Sequence, residues 1–138
     1  MSVGKRPHIV PLNYGYVEGI ILFHCALTGR KLECMKRNPQ ACFTVGRQSG
    51  RLIQHPQGAH CPIDTDSVIC YSRARIIESF PEKLERHNAF NRRLQPDAEE
   101  IPAEAVSGCC AVEIQILEMT GRRQRGLKHQ YWKYQFEE

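Results

Sequence analysis

Alternation of apolar and polar side chains is the feature that most limits what this chain can fold into. Val112, Ile114 and Ile116 are separated by polar residues such as Glu113. The same alternation recurs near the end of the chain, at Trp132, Tyr134 and Phe136. A period of two places successive side chains on opposite faces of a strand, so both segments are predicted to be half-buried β-strands.

Earlier segments also favour strands. β-Branched and aromatic runs at residues 8–12 and 20–24 flank a short Gly-bearing segment, which predicts a β-hairpin. Further strands are predicted at residues 41–45 and 67–78, with a long loop over residues 46–66 between them. Loops of that length in small domains are often functional.

Two helices are predicted between these strands. The first spans residues 28–39, with Thr28 as its capping residue and Asn38-Pro39 as its stop. The second follows Ser79, which forms a capping box with Glu82, and runs to about Gln95.

The second helix has a thin apolar stripe, so it is predicted to lie on the surface with one face against a sheet. The stripe consists of Phe80, Leu84 and Leu94, with His87 between them. Residues 95–108 are predicted to be a connection. Strands that follow one another as hairpins indicate a mostly β fold, an antiparallel, Greek-key-like barrel with peripheral helices.

Length and charge limit the classes of protein further. A chain of 138 residues, 41% hydrophobic and 25% charged, is predicted to form one domain over residues 1–138. Residues 121–138 form a basic and aromatic tail, with five of the 19 basic residues and only two of the 15 acidic ones. No apolar run is long enough to span a bilayer and no secretory signal is recognisable, so a cytoplasmic location is expected.

Cysteine spacing gives no metal motif. The seven cysteines contain no Cys-x-x-Cys pair, and a disulfide framework is not expected in a cytoplasmic chain. The only compact group of ligand-type side chains is His55, His60 and Cys61, which lacks a second spaced pair. No metal site is therefore predicted.

A candidate anion site lies where a strand leads into the first helix. Thr28, Arg30 and Lys31 bring a hydroxyl and two cations to the free N–H groups of a helix start. An arginine fork and a lysine point charge suit a phosphate, although adjacent cations on a helix are also common on a solvated face.

Several short motifs, taken in their order and spacing along the chain, resemble one family. They are residues 7–16 (PHIVPLNYGY), 22–26 (LFHCA), 29–32 (GRKL) and 38–43 (NPQACF), followed by Cys61, residues 67–69 (SVI), 73–75 (RAR) and 118–123 (EMTGRR). Together they resemble the flavin-binding split-barrel superfamily. The similarity is greatest to the pyridoxamine 5′-phosphate oxidase-related branch that includes nitroimidazole-resistance proteins.

The resemblance implies a homodimer of split β-barrels with FMN at the subunit interface. The implied catalytic residue is His24, at a position near the flavin where proton transfer has been considered. The implied cofactor-binding residues are Val10, Pro11, Leu12, Asn13, His24, Cys25, Thr28, Arg30, Lys31 and Ser67. Of these, the hairpin backbone at residues 10–13 is expected along the flavin ring, and Arg30 and Lys31 at its phosphate.

Two departures from the family pattern stand out. Members usually have a helix and a first barrel strand ahead of the segment that here begins at Pro7, so that strand is expected to be missing or reduced to residues 1–5. In addition, Asp66 stands where the branch commonly has arginine, which reverses a charge near an anion site.

Three functions are compatible with these observations. The first is an FMN-dependent oxidoreductase that passes hydride or electrons from reduced flavin to a small acceptor, such as a nitroaromatic compound. The second is a non-catalytic flavin or haem binder. The third, less favoured, is a nucleic-acid module that uses the aromatic and basic side chains of the tail.

Overall fold

The computed structural model describes residues 1–17, 19–49, 56–57 and 63–136. These residues form two compact units. The first comprises Met1–Ala41 and Ser72–Ile116, and the second comprises Cys42–Tyr71 and Leu117–Glu138. The predicted single domain is not tested by this division, and each unit is described by itself.

Strands predominate in the described chain. They are β1 (Ser2–Val3), β2 (Arg6–Pro7), β3 (Gly15–Val17), β4 (Ile20–Cys25), β5 (Gln40–Ser49), β6 (Asp64–Ile77), β7 (Cys110–Arg125) and β8 (Lys128–Gln135). The helices are α1 (Arg30–Arg37), α2 (Phe80–Leu94) and α3 (Ala103–Ser107). The main sheet has the order β3-β4-β7-β6-β5, and β8 pairs with β7. This confirms the predicted mostly β, antiparallel fold with peripheral helices.

The core of the first unit lies along β4 and β7, which pair antiparallel with Ile21 opposite Ile114 and Phe23 opposite Val112. All four of these side chains are buried. The alternation predicted for residues 112–116 does place Val112 and Ile114 in the core. Helix α2 packs against β3 and β4 and covers this part of the sheet.

The predicted N-terminal hairpin is present, but the prediction that its first strand lies at residues 8–12 was wrong. It is β3, Gly15–Val17, that pairs with β4, whereas residues 8–14 lie in no strand. Val17 pairs with Ile20, and Gly19 adopts a φ of 84°, which glycine tolerates without strain. Pro11 has no N–H to donate to a strand partner, which disfavours pairing in the earlier segment.

The N-terminus forms a small sheet of its own. Strand β1 pairs with β2, and Ser2 lies opposite Pro7.

The helices begin and end close to their predicted positions, but their capping differs. Gly29, not Thr28, is the N-cap of α1, and no side chain caps that helix. Ser79 is the N-cap of α2 but makes no side-chain capping bond. The predicted capping box is absent because Glu82 binds Arg75 instead, with 2.5 Å between Oε1 and Nη2.

The buried face of α2 also differs from the predicted stripe. Phe80 is 41% exposed and Leu94 is 58% exposed, whereas His87, Asn88 and Phe90 are buried. The predicted connection after α2 contains the short helix α3. The segment before α3 is held to α2 by a hydrogen bond in which the Ile101 N–H donates to Asn88 Oδ1 at 2.7 Å.

The second unit contains the hairpin of β7 and β8, with Gly121 opposite Trp132 and Arg125 opposite Lys128. The predicted strand at the end of the chain is thereby confirmed. Its side chains are exposed, with 42% for Trp132 and 62% for Tyr134, so the prediction that this strand is half-buried was wrong. In the described part of the chain, no helix has the length and apolar character needed to cross a membrane.

Candidate functional site

The predicted anion site is built on the start of α1, five residues after β4 ends. Gly29 has a φ of 130°, and the N-terminus of α1 has no side-chain cap. The first N–H groups of a helix have no partner within the helix, and they carry a partial positive charge. Thr28 and Arg30 are exposed beside them. Helix α1 therefore presents hydrogen-bond donors and a cation to solvent at one point.

Lys31 is held more firmly than Arg30. Its Nζ atom lies 5.1 Å from the centroid of the Phe23 ring, in a cation–π arrangement. Burial raises the pKa of the nearby Cys25 thiol above its ordinary value, while the Lys31 ammonium acts against that shift. Cys25 is therefore a neutral thiol at neutral pH, which agrees with a small packing residue at the end of β4.

The residues expected along a flavin ring occupy the segment between β2 and β3. Val10, Pro11, Leu12 and Asn13 belong to no helix or strand, and Pro11 and Asn13 are exposed. Backbone without a strand partner can hydrogen-bond to a ligand. This part of the predicted site is thus available for binding.

His24 lies on β4 beside the inner face of α2. Its ring meets the Phe90 ring edge to face, with centroids 5.4 Å apart. The centroid of the His87 ring lies 5.7 Å from that of His24. His24 itself is exposed. An exposed imidazole that is oriented by packing on one side can exchange a proton with a bound molecule.

Ser67, the remaining predicted site residue, lies in the second unit, on β6. It lines a cavity of about 470 Å³. The other lining residues are Ile69, Thr120, Gly121, Arg122, Tyr131, Trp132 and Lys133. This cavity combines aromatic surface with two cationic side chains.

Asp66 is the residue that stands where the family branch commonly has arginine. It is surrounded by arginines of the same unit. Its carboxylate lies 3.1 Å from Arg47 Nη2, 2.9 Å from Arg123 Nε and 2.9 Å from Arg125 Nη2. Hydrogen bonds from Arg125 and Arg123 hold the pKa of Asp66 well below its usual range. One carboxylate among three guanidinium groups leaves a positive excess at this place.

Sequence reasoning did not identify this arginine cluster, since Arg47, Asp66 and Arg123 are far apart in the chain. The sequence also did not predict that His24, His87 and Cys109 lie close together. These residues come from β4, from α2 and from the position directly before β7. The histidine and cysteine group at residues 55–61 lies outside the described residues.

The chain matches the pyridoxamine 5′-phosphate oxidase family over residues 1–123. No curated protein matches it.

Three solved structures are similar to the chain. A candidate 5-nitroimidazole antibiotic resistance protein from Bacteroides thetaiotaomicron has 25% identity and a TM-score of 0.70, over 84% of this chain and 68% of that one. A flavocytochrome from Azotobacter vinelandii has 16% identity and a TM-score of 0.76, over 99% and 70%. A FAD-binding protein from Mesorhizobium loti has 23% identity and a TM-score of 0.62, over 90% and 82%.

Proposed function

The chain belongs to the pyridoxamine 5′-phosphate oxidase family of flavin-binding split barrels, and on that premise we propose that it binds FMN and acts as an oxidoreductase. The likeness to a candidate 5-nitroimidazole resistance protein supports a small nitroaromatic compound as the acceptor. The electron donor is a second small molecule, which the family assignment does not specify.

The uncapped start of α1 is the observation that carries this proposal. FMN ends in a phosphate, and α1 offers free N–H groups, the Thr28 hydroxyl and the cations of Arg30 and Lys31. Lys31 is partly fixed against Phe23, so its ammonium needs little further ordering when an anion arrives. The donor set therefore fits a terminal phosphate.

The other predicted residues receive roles by their positions. The backbone of Val10, Pro11, Leu12 and Asn13, which lies in no strand, would lie along the ring of the flavin, and Cys25 would pack beside the cofactor as a small apolar residue. Ser67 would offer a hydroxyl to the cofactor. His24 would hold the proton that the acceptor receives, because its imidazole is exposed and oriented by Phe90. A bound flavin supplies the redox chemistry, and the protein orients it.

A homodimer with the cofactor at its interface forms part of the proposal. The exposed aromatic side chains of β8 support it, since a partner subunit would cover them. These side chains are Tyr131, Trp132 and Tyr134. No membrane or nucleic-acid partner is included, and the cytoplasmic location stays a prediction from the sequence.

The first experiment is a visible absorption spectrum of freshly purified protein, followed by mass analysis of what it releases on denaturation. One FMN per subunit supports the proposal, and released FAD would change the cofactor. A colourless protein that takes up neither added FMN nor added FAD would contradict it.

A matched pair of double variants then tests the phosphate site. Arg30→Gln with Lys31→Gln should weaken FMN affinity at least tenfold, because two charge-assisted contacts are lost. Lys36→Gln with Arg37→Gln removes the same charge from the opposite end of α1 and should leave the affinity unchanged. Equal losses in both variants would indicate a general charge effect and remove α1 as the phosphate site.

Turnover with nitroaromatic acceptors separates catalysis from simple carriage of the cofactor. If FMN is bound but reduced protein is not reoxidised by any acceptor faster than free flavin, the protein is a non-catalytic flavin binder. His24→Gln should slow reoxidation while FMN stays bound. An unchanged rate would remove His24 from the chemistry.

A further inference from the structure

Three side chains of the first unit bring metal-binding atoms to one point. His24 on β4, His87 on α2 and Cys109 just before β7 each place one ligand atom within 4.8 Å of the other two. The His87 Nε2 atom is 3.0 Å from the Cys109 Sγ atom. Imidazole nitrogen together with a cysteine sulfur is a donor set that suits zinc.

The backbone fixes which nitrogen of His87 is available. Its Nδ1 atom lies 2.8 Å from the Lys83 carbonyl oxygen, which can only accept a hydrogen bond. Nδ1 therefore carries the proton, and the lone pair of Nε2 points toward Cys109. An imidazole that donates its second N–H to a carbonyl is typical of metal-binding histidines.

We propose that His24, His87 and Cys109 form a Zn²⁺ site with a fourth position open to solvent. Tetrahedral zinc with bonds of about 2.0–2.3 Å requires its ligand atoms to lie roughly 3.3–3.7 Å apart. His87 and Cys109 are already closer than this, so the metal would enter by widening that contact slightly. His24 is exposed and can move the remaining distance, about 1 Å, by a small change of its side-chain torsions.

One cation, Lys83, lies near the site and acts against positive charge on His87. The Lys83 ammonium donates to the Cys109 carbonyl oxygen at 3.1 Å, so it is directed at the backbone rather than into the cluster. Zinc displaces the thiol proton and binds the thiolate, which leaves one net positive charge on the metal and its sulfur ligand. The Cys109 Sγ atom otherwise has only a weak contact, 3.6 Å from the Val106 carbonyl oxygen.

The zinc site does not depend on bound flavin, although it shares His24 with the proposed proton transfer. The two roles of His24 exclude each other at any one moment. The test therefore measures metal binding and not turnover. Its failure would leave the FMN proposal untouched, and an absence of FMN would leave the zinc site untouched.

Cobalt(II) is the probe, because tetrahedral cobalt with a thiolate ligand gives strong bands in the red, where oxidised flavin does not absorb. Full-length reduced protein, first freed of metal with a chelator, is titrated with Co²⁺ and then with Zn²⁺. We expect one Co²⁺ per chain with these bands, and their complete loss when one equivalent of Zn²⁺ is added. Absence of the bands would overturn the proposal.

Variants connect the signal to the three residues. Cys109→Ser should abolish the bands, whereas Cys110→Ser and Cys42→Ser should keep them, since neither of those thiols belongs to the cluster. If Cys109→Ser does not fold, His24→Gln provides the test, because His24 is exposed and its replacement leaves the core intact. We expect this variant to bind Co²⁺ at least tenfold more weakly. Bands that survive in His24→Gln at unchanged affinity, or that vanish in Cys42→Ser, would overturn the assignment.

Discussion

The Glu113 carboxylate on β7 lies 2.7 Å from the Arg86 Nε atom on α2, on the strand face that alternation would assign to solvent. Arg75 on β6 also binds Glu113, and it links the pair to Glu82 at the start of α2. Glu113 is buried, with 9% of its side chain exposed. Helix α2 thus covers the polar face of the strand and provides one of the two cations that pair with this carboxylate, while β6 provides the other.

Removing this carboxylate should destabilise the first unit. Glu113→Ala is expected to lower the free energy of unfolding by about 2 kcal/mol, because Arg75 and Arg86 lose a partly buried partner. Denaturant unfolding followed by circular dichroism measures the change.

The control is Glu118→Ala, which breaks a more exposed pair. Glu118 lies 2.7 Å from Lys133 Nζ, and 59% of the Lys133 side chain is exposed. That variant should lose less than about 1 kcal/mol. Equal losses of unfolding free energy in the two variants would show that the burial of Glu113 adds nothing to the stabilisation by its ion pairs.

Local patterns predicted most of the strands and the two longer helices, because each is decided by neighbouring residues, but the strand expected at residues 8–12 was wrong and α3 was not predicted. The apolar positions Val112, Ile114 and Ile116 are buried as their alternation indicated. Helix α1 ends at Arg37, directly before the Asn38-Pro39 stop. The sequence also predicted that Arg30 and Lys31 lie at the start of α1, since a helix start can be recognised from neighbouring residues.

Contacts between distant segments could not be predicted in this way. The alternation at Glu113 is the same whether that face meets solvent or a helix, and only the packing of α2 decides it. The Glu82 carboxylate had two possible partners, the Ser79 backbone or Arg75, and the sheet brings the arginine close. The cluster of His24, His87 and Cys109 depends on three elements together, so no spacing motif announces it.

The pH dependence of stability should reveal the arginine cluster around Asp66. The pKa of Asp66 is lowered in the folded state, so the folded protein binds fewer protons than the unfolded chain in acid. Its stabilising contribution is complete above the unfolded pKa of about 3.9 and is lost as the pH falls through the lower folded pKa. Asp66→Asn should therefore lower the Tm at pH 7, and the gap from the unmodified protein should shrink below about pH 4.

Asp97→Asn is the control for this measurement, because Asp97 is exposed and has no ion pair within the described part of the chain. Its Tm should follow the unmodified protein at every pH. A gap for Asp66→Asn that stayed constant down to pH 2 would show that the arginines act through packing and not through the carboxylate charge.

Trp132 gives a direct report on the hairpin of the second unit, because it is the only tryptophan in the chain. A Cβ atom added at Gly121 would lie 3.1 Å from Trp132 Cε3, closer than ordinary contact. Gly121→Val should therefore push the ring outward and shift its fluorescence to longer wavelength. Gly108→Ala, where an added Cβ meets nothing within 4 Å, should leave the emission unchanged. An unshifted spectrum in Gly121→Val would show that the ring does not pack against Gly121.

The same tryptophan tests the nucleic-acid alternative. Part of the basicity of the tail is offset within the second unit, since Asp66 pairs with Arg123 and Arg125, and Glu118 pairs with Lys133. Affinity for nucleic acid rises with the number of phosphates that free cations neutralise, and it falls steeply with salt. We therefore expect a single-stranded oligonucleotide to cause no quenching of Trp132 at physiological salt.

Asp66→Asn, which frees arginines, should bind more strongly than the unmodified protein at low salt. Tight binding by the unmodified protein, with a steep dependence on salt, would instead make the tail a nucleic-acid surface.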